Sequence, residues 1–315
     1  MTLPVAALTG GTGFLGRYIA QAFVAAGWRI RLLTRGAPIH PMLEDLPLDL
    51  VLGGLDDARA LTQLVADADV VIHGAGLVKA RSRAEFLSVN RDGAARVAAI
   101  VARAPQSPRL VMISSLAARA PALSLYAESK RAGEEAVRAL LDETRGIILR
   151  PSAIYGPWDR EGLAILRLAA GRFAPAIAAP EPRIAMIHAR DAAAAALAVA
   201  TSDKARGTYD IADARWDGYG WRELLGVIGG ALGRAPIALS IPDAVLQTAG
   251  AISDGFAAWS GQAAIFGRGK VREILHRDWS IDPANLIPAD LWQPVIDLET
   301  GMRETAAWWL STKRP

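Results

Sequence analysis

Apolar positions in the first half of the chain fall into two rhythms. Short runs rich in leucine and β-branched residues, at 5–8, 29–34, 49–53, 69–74, 109–114 and 146–150, alternate with alanine-rich stretches of helical length at 14–26, 57–66, 83–103 and 126–142. Alternation of this kind is the mark of βαβ units, so the pattern predicts a doubly wound α/β fold around a six-stranded parallel sheet. Past Pro151 the rhythm changes: prolines become frequent, most tryptophans appear, and helical stretches dominate at 159–170, 189–201, 220–232, 243–259 and 298–311. The division this suggests is a sheet domain over 1–155 and a smaller, mainly helical lobe over 156–315. The two belong to one compact unit, with the lobe over the carboxyl ends of the strands, where open α/β sheets bind their ligands.

Composition narrows the function classes. The chain has 315 residues, 52% of them hydrophobic, which is enough to bury a sizeable core. Its net charge of +3 comes from basic residues scattered singly, which argues against nucleic acid as a partner. There is no cysteine, so disulfides, thiolate metal sites and cysteine nucleophiles are excluded. The four histidines have no metal-ligand spacing, and no metal is expected. The apolar window from Leu163 to Pro180 carries Arg167 and Arg172, so no membrane span is expected. With no basic segment ahead of the first apolar run, no signal peptide is read, and the expectation is a cytoplasmic protein.

Three segments carry chemistry. In "ALTGGTGFLG" (7–16), a strand leads through Gly10, Gly13 and Gly16 into an apolar-periodic helix. That arrangement offers free backbone N–H groups and a positive helix end to a pyrophosphate, though a glycine-rich turn without ligand has the same letters. The second predicted strand ends in Thr34 and Arg35, with no carboxylate to accept from an adenosine ribose; a basic residue here favours a 2′-phosphate. In "YAESK", Tyr126 and Lys130 stand four apart and share a helix face, downstream of Ser114 and Ser115. An ammonium beside a phenol stabilises the phenolate and brings its pKa down from about 10, as a general acid/base requires.

Together with "RPSAIYGP" (150–157), "VNRDGAARV" (89–97) and "MIHARDAAAAAL" (186–197), these segments resemble the extended short-chain dehydrogenase/reductase family, NAD-dependent epimerases and dehydratases among them. The likeness covers roughly the first 200 residues. It implies a Rossmann-type fold with a C-terminal substrate lobe, and it implies roles. Tyr126 would be the acid/base, Lys130 its pKa-lowering partner and a nicotinamide-ribose ligand, Ser115 the hydroxyl on the reacting oxygen, and Asn90 a support for the site. Gly10, Thr12, Gly13, Phe14, Leu15, Gly16, Thr34, Arg35, Leu55, Gly74, Ala75, Gly76, Pro151 and Ile154 would meet the dinucleotide. NADP(H) is favoured, with NAD(H) open. Relatives often dimerise through the helices that match 83–103 and 126–142, so a homodimer is an open expectation.

The family pattern is departed from in three places: Gly54 stands where relatives carry an aspartate toward adenine, only ten residues separate Ser115 from Tyr126, and "HGAG" (73–76) replaces the commoner His-x-Ala-Ala. The second departure leans away from a standard epimerase. Lys79, Trp158 and Arg183 are candidate substrate contacts for a small-molecule substrate. The leading expectation is an NADP(H)-dependent oxidoreductase interconverting an alcohol and a ketone or aldehyde. The alternatives are a nucleotide-sugar epimerase or dehydratase with bound NAD, and a non-catalytic dinucleotide-binding member of an assembly.

Overall fold

In the computed structural model of the chain, the described residues are 3–37, 40–178, 180–260 and 266–312. The chain opens with strand β1 (Val5–Thr9), helix α1 (Phe14–Ala25), β2 (Arg29–Thr34), the single turn α2 (Pro41–Glu44), β3 (Leu48–Leu52), α3 (Ala58–Val65) and β4 (Val70–His73). The turn α4 (Arg83–Phe86) runs through a π-helical turn at Leu87–Asp92 into α5 (Gly93–Arg103), followed by β5 (Arg109–Ile113), α6 (Leu125–Arg138) and β6 (Gly146–Pro151). Then come β7 (Ala153–Tyr155), α7 (Leu163–Ala170), β8 (Phe173–Ile177), β9 (Arg183–Ile184), β10 (Met186–His188), α8 (Ala189–Thr201) and β11 (Thr208–Ile211). The remainder is α9 (Trp221–Ala231), β12 (Ile237–Ile241), α10 (Asp243–Ser260), α11 (Arg268–Leu275), β13 (Asp278–Trp279) and α12 (Leu298–Thr312).

Seven strands form the central sheet in the order β11-β6-β5-β4-β1-β2-β3, and β1 to β6 pair in parallel. The order reverses between β1 and β4, so the loops after these two strands diverge to opposite faces and leave a crevice at the strands' carboxyl ends. Central strands such as "VAAL" and "VVI" are buried along their length because helices cover both faces of the sheet. One covering layer packs Leu61 and Leu64 of α3, Val97 and Val101 of α5, and Val137 of α6 against Val71, Leu110 and Met112 of the sheet. In α5 the buried residues Ala94, Val97, Ala98 and Val101 recur at helical spacing, and their small size brings the helix close to the strands.

The chain divides into two compact units. The first contains Met1–Pro151 together with Ala192–Asp210 and Ile287–Gln293, stretches that the sequence pattern assigns to the C-terminal lobe. The physical reason is the seventh strand: β11 is only four residues long and follows the alanine-rich α8, so its pairing with the sheet has little local signature. Arg109 ties down the end of α8, its guanidinium donating to the carbonyls of Val199, Ala200 and Ser202. The second unit has its own core, built from Leu166, Ala174, Ala176, Leu224, Leu225, Ile228, Leu298, Met302 and Trp309.

Two helices are shorter than the pattern predicts. The stretch 126–142 ends its helix at Arg138, because the Asp142 carboxylate accepts from the Thr144 and Arg145 amides and folds the chain into a turn. The stretch 159–170 starts its helix only at Leu163, since Asp159 accepts from the Glu161 and Gly162 amides just ahead of it.

The packing makes two contrasting predictions. A methyl group on Gly16 would lie 2.1 Å from the Gly10 carbonyl oxygen, whereas Gly226, exposed in the interior of α9, has open space around it. Gly16→Ala should therefore lose about 2–4 kcal/mol of stability and Gly226→Ala gain about 0.5–1 kcal/mol, read from urea midpoints. The second concerns acid. Burial and the Lys130 ammonium hold His73 down at about 3, so it stays neutral in the fold while the unfolded chain protonates it near 6.5. Its contribution is complete above that pH and is lost as pH falls toward 3. Moving from pH 7 to pH 5 should cost the parent about 2 kcal/mol more than it costs His73→Gln in the same titration.

Candidate active site

The cradle begins where β1 ends. Gly10 adopts φ +75°, and a side chain there would meet the Ala75 nitrogen and the Gly74 carbonyl at 2.5–2.7 Å. Only glycine lets the β1 loop approach the loop after β4 this closely. Gly13 forms the N-cap of α1, with its amide donating to the Gly10 carbonyl at 3.0 Å. No side chain caps this helix and no acid occupies its first turn, so the positive end of α1 faces outward beside the exposed Thr12 and Gly13 and the half-buried Phe14 and Leu15. This shape and polarity fit a pyrophosphate. Gly11, absent from the predicted set, is as constrained as its neighbours, because a methyl there would strike Leu32 at 2.4 Å.

At the rim, Thr34 is buried and its hydroxyl closes a turn with the Gly36 carbonyl and amide. Arg35 next to it is exposed, and no partner restrains it among the described residues. Leu55 is committed to packing: a side chain on Gly93 of α5 would meet its Cδ1 at 2.7 Å. Thr9 links the two loops, its hydroxyl lying 2.8 Å from His73 Nδ1 and accepting from the Ala75 amide at 3.3 Å.

The candidate acid/base residues stand on α6. Ser124 caps this helix, accepting from the Ala127 amide, and the first turns carry Tyr126 and Lys130 on one face. Lys130 is buried and donates from Nζ to the Ile113 carbonyl at 2.7 Å; burial brings its pKa down to about 8, against the upward pull of Glu134. Gly76 sits over it, since a Cβ there would lie 3.0 Å from Asn90 Oδ1 and 3.7 Å from Lys130 Nζ. Asn90 grips the loop after β4 by both ends of its amide, accepting from the Leu77 amide at 2.7 Å and donating to the Leu77 carbonyl at 2.9 Å. It also donates to Ser129 Oγ, which donates to the Tyr126 carbonyl. Asn90 lies in the π-helical turn, a local widening of the helix often found at functional sites.

Ser114 and Ser115 take different roles. Ser115 Oγ accepts from the Ala117 amide at 3.2 Å, capping a short 3₁₀ turn and leaving its hydrogen to donate elsewhere. Ser114 Oγ donates to the fully buried Glu134 at 2.6 Å. Glu134 also accepts from Arg150 Nε at 2.8 Å, from Arg150 Nη2 at 2.6 Å and from Arg138 at 3.2 Å, and these partners hold its pKa below the ordinary range despite burial. Arg150 in turn faces the buried Asp210, as does Arg119, at 3.6–3.7 Å. The sequence reading missed this cluster, although Glu134 lies one turn beyond Lys130 on the same helix, a spacing that could have exposed it.

The remaining candidates are dispersed. Pro151 closes β6 in the first unit, while Ile154 pairs with Ile187 in the second. Trp158 packs its ring 5.6 Å from Trp308, and Arg183 is held by Asp217 at 2.7 Å. Lys79 is exposed in the loop after β4. Among the described residues there is no cluster that could hold a metal ion, and no helix is long and apolar enough to cross a membrane.

A parallel sheet with an uncapped glycine cradle at its reversal is the architecture of an NAD(P)-dependent oxidoreductase of the short-chain type. Comparison agrees: residues 6–212 match the NAD dependent epimerase/dehydratase family, and the chain belongs to it. It is 43% identical over 305 residues to a ceramide reductase of Caulobacter vibrioides, covering 97% of this chain and 94% of that protein. Two solved structures share the fold. MoeE5 in complex with UDP-glucose and NAD superposes with a TM-score of 0.72 at 19% identity, over 99% of this chain and all of that one. Human epimerase family protein SDR39U1 with NADPH gives 0.71 at 20% identity, over 97% and 99%.

The buried carboxylate can be tested directly. Glu134→Gln keeps the shape but removes the charge, leaving Arg150 only the more distant Asp210 as a counter-ion, and should cost about 3 kcal/mol or more in urea unfolding. The same change removes the charge that raises Lys130, so that lysine should titrate below about 8 when followed by its side-chain carbon shift.

Proposed function

We propose that the chain is an NADP(H)-dependent reductase that converts a ketone on a long-chain lipid of the ceramide class to a secondary alcohol. The observation that carries this reading is the near-full-length identity to the ceramide reductase, which extends through the C-terminal half where substrates are selected. The bound dinucleotide would supply hydride to the carbonyl carbon. Its pyrophosphate would rest on the N-terminus of α1 over Gly10 and Gly13, and Arg35 would face the 2′-phosphate.

The protein groups handle the oxygen. Ser115 donates its remaining hydrogen to the carbonyl oxygen and orients it. Tyr126 gives up its phenolic proton to that oxygen as charge develops there. Lys130, with its ammonium fixed by the Ile113 carbonyl, steadies the phenolate left behind. Asn90 and Ser129 hold the backbone at Tyr126 in place. An epimerase acting on a sugar nucleotide would need free cations for the diphosphate; Arg183, the candidate in the second unit, is already taken by Asp217, which favours the reductase.

The first measurement is calorimetric titration of cofactor-free protein with NADPH and with NADH. Preference for NADPH that Arg35→Ala removes is expected; tighter binding of NADH, or protein purified with NAD in place, would turn the reading to the epimerase. With NADPH and a keto-ceramide in detergent, mass spectrometry should record a gain of two hydrogens. Tyr126→Phe should lower kcat by about a thousandfold while NADPH binding holds. Unaltered activity of Tyr126→Phe would remove the acid/base assignment.

A further inference from the structure

We propose that an apolar and basic face of the second unit docks on the surface of an anionic phospholipid bilayer; the purpose of such docking rests on the lipid-substrate reading, but its geometry does not. β8 and β12 pair in parallel with Phe173 opposite Ile237 and Pro175 opposite Leu239. Partners in a parallel pair share a face, and the alternate residues Ala174 and Ala176 are buried in the core. Phe173 and Ile237 are consequently turned outward and left about half exposed (53% and 51%), with Leu239 at 46%. A soluble strand pair ordinarily puts polar side chains on that side.

Charge is distributed to match. Neither 162–180 nor 224–242 contains an aspartate or glutamate, whereas Arg167, Arg172 and Arg234 are exposed within them. Of the acids that directly flank these windows, Glu181 is paired with Arg222 at 2.8 Å and Glu223 with Arg215, and Asp243 opens the following helix. The helix that follows continues the theme: on α10, Val245, Ile252 and Phe256 recur at helical spacing, with Ile252 70% and Phe256 63% exposed. The two carboxylates of α10 in the described residues, Asp243 and Asp254, are taken up by Arg277 and Arg268. Exposed apolar side chains on a strand pair and on the helix that follows it, fringed by arginines and with Glu181, Asp243 and Asp254 held in ion pairs, match the headgroup boundary of an anionic leaflet. A lipid with long acyl chains resides in the bilayer, so a reductase for it gains by meeting it there.

Flotation of the full-length protein with vesicles decides the matter, using phosphatidylcholine alone and phosphatidylcholine mixed with phosphatidylglycerol. The protein should float with the anionic vesicles and be released as salt rises. The pairs Phe173→Glu with Leu239→Glu, and Ile252→Glu with Phe256→Glu, should each weaken binding by roughly tenfold or more while a water-soluble ketone is still reduced at the parent rate. Circular dichroism of the variants, together with the salt titration of the unaltered protein, separates misfolding from loss of docking. Failure of the unaltered protein to float would overturn the proposal. So would a dimer in light scattering that the glutamates dissociate without any vesicle binding, since the face would then belong to a second copy. Flotation without reduction of a vesicle-embedded keto-lipid would leave the docking face standing and defeat the substrate reading instead.

Discussion

The carboxyl ends of β5 and β6 in the first unit depend on one buried carboxylate. Glu134 sits in α6 and accepts from Ser114 at the end of β5 and from Arg150 at the end of β6, so a single charge joins a helix to two neighbouring strands. Burying an ion is costly, and the cost is offset only when every lone pair finds a donor, which fixes the relative position of all three elements. Ser115 is the next residue along one strand, Pro151 the next along the other, and Lys130 lies one helical turn away. The candidate site residues thus inherit their spacing from an ion pair buried beneath them.

Electrostatics around Lys130 follow from the same arrangement. Its ammonium is shut away from water, which favours the neutral amine, while Glu134 works in the opposite direction. The result is a lysine placed near the physiological range rather than far above it. His73, packed close by, stays neutral and serves as a hydrogen-bonding spacer between β4 and Thr9.

Much of this could be read from residue patterns, and the reasons for success and failure differ by element. The strands from Val5 to Arg150 were legible because buried parallel strands are continuous apolar runs. The cradle was legible because Gly10 and Gly16 occupy positions where backbone meets backbone and no other residue fits. β11 and the small strand pairs of the second unit were not, since short strands owe their existence to partners distant in sequence. Ser114 and Ser115 are identical letters, and only the partner across the sheet, Glu134, tells them apart. Arg183 reads as a free cation until Asp217 is placed beside it.

The π-helical turn at Leu87–Asp92 bears on how such a chain can change by insertion and deletion. A π turn amounts to one residue more than the α-helix would hold, and each residue of a helix rotates its successors by about 100°. Removing any single residue between Ser82 and Asn90 would let the helix relax to regular α geometry and swing the asparagine away from both Leu77 and Ser129. Length is then a trait under constraint in this segment alongside the identity of Asn90: a one-codon deletion would undo the asparagine's grip on Leu77 and Ser129.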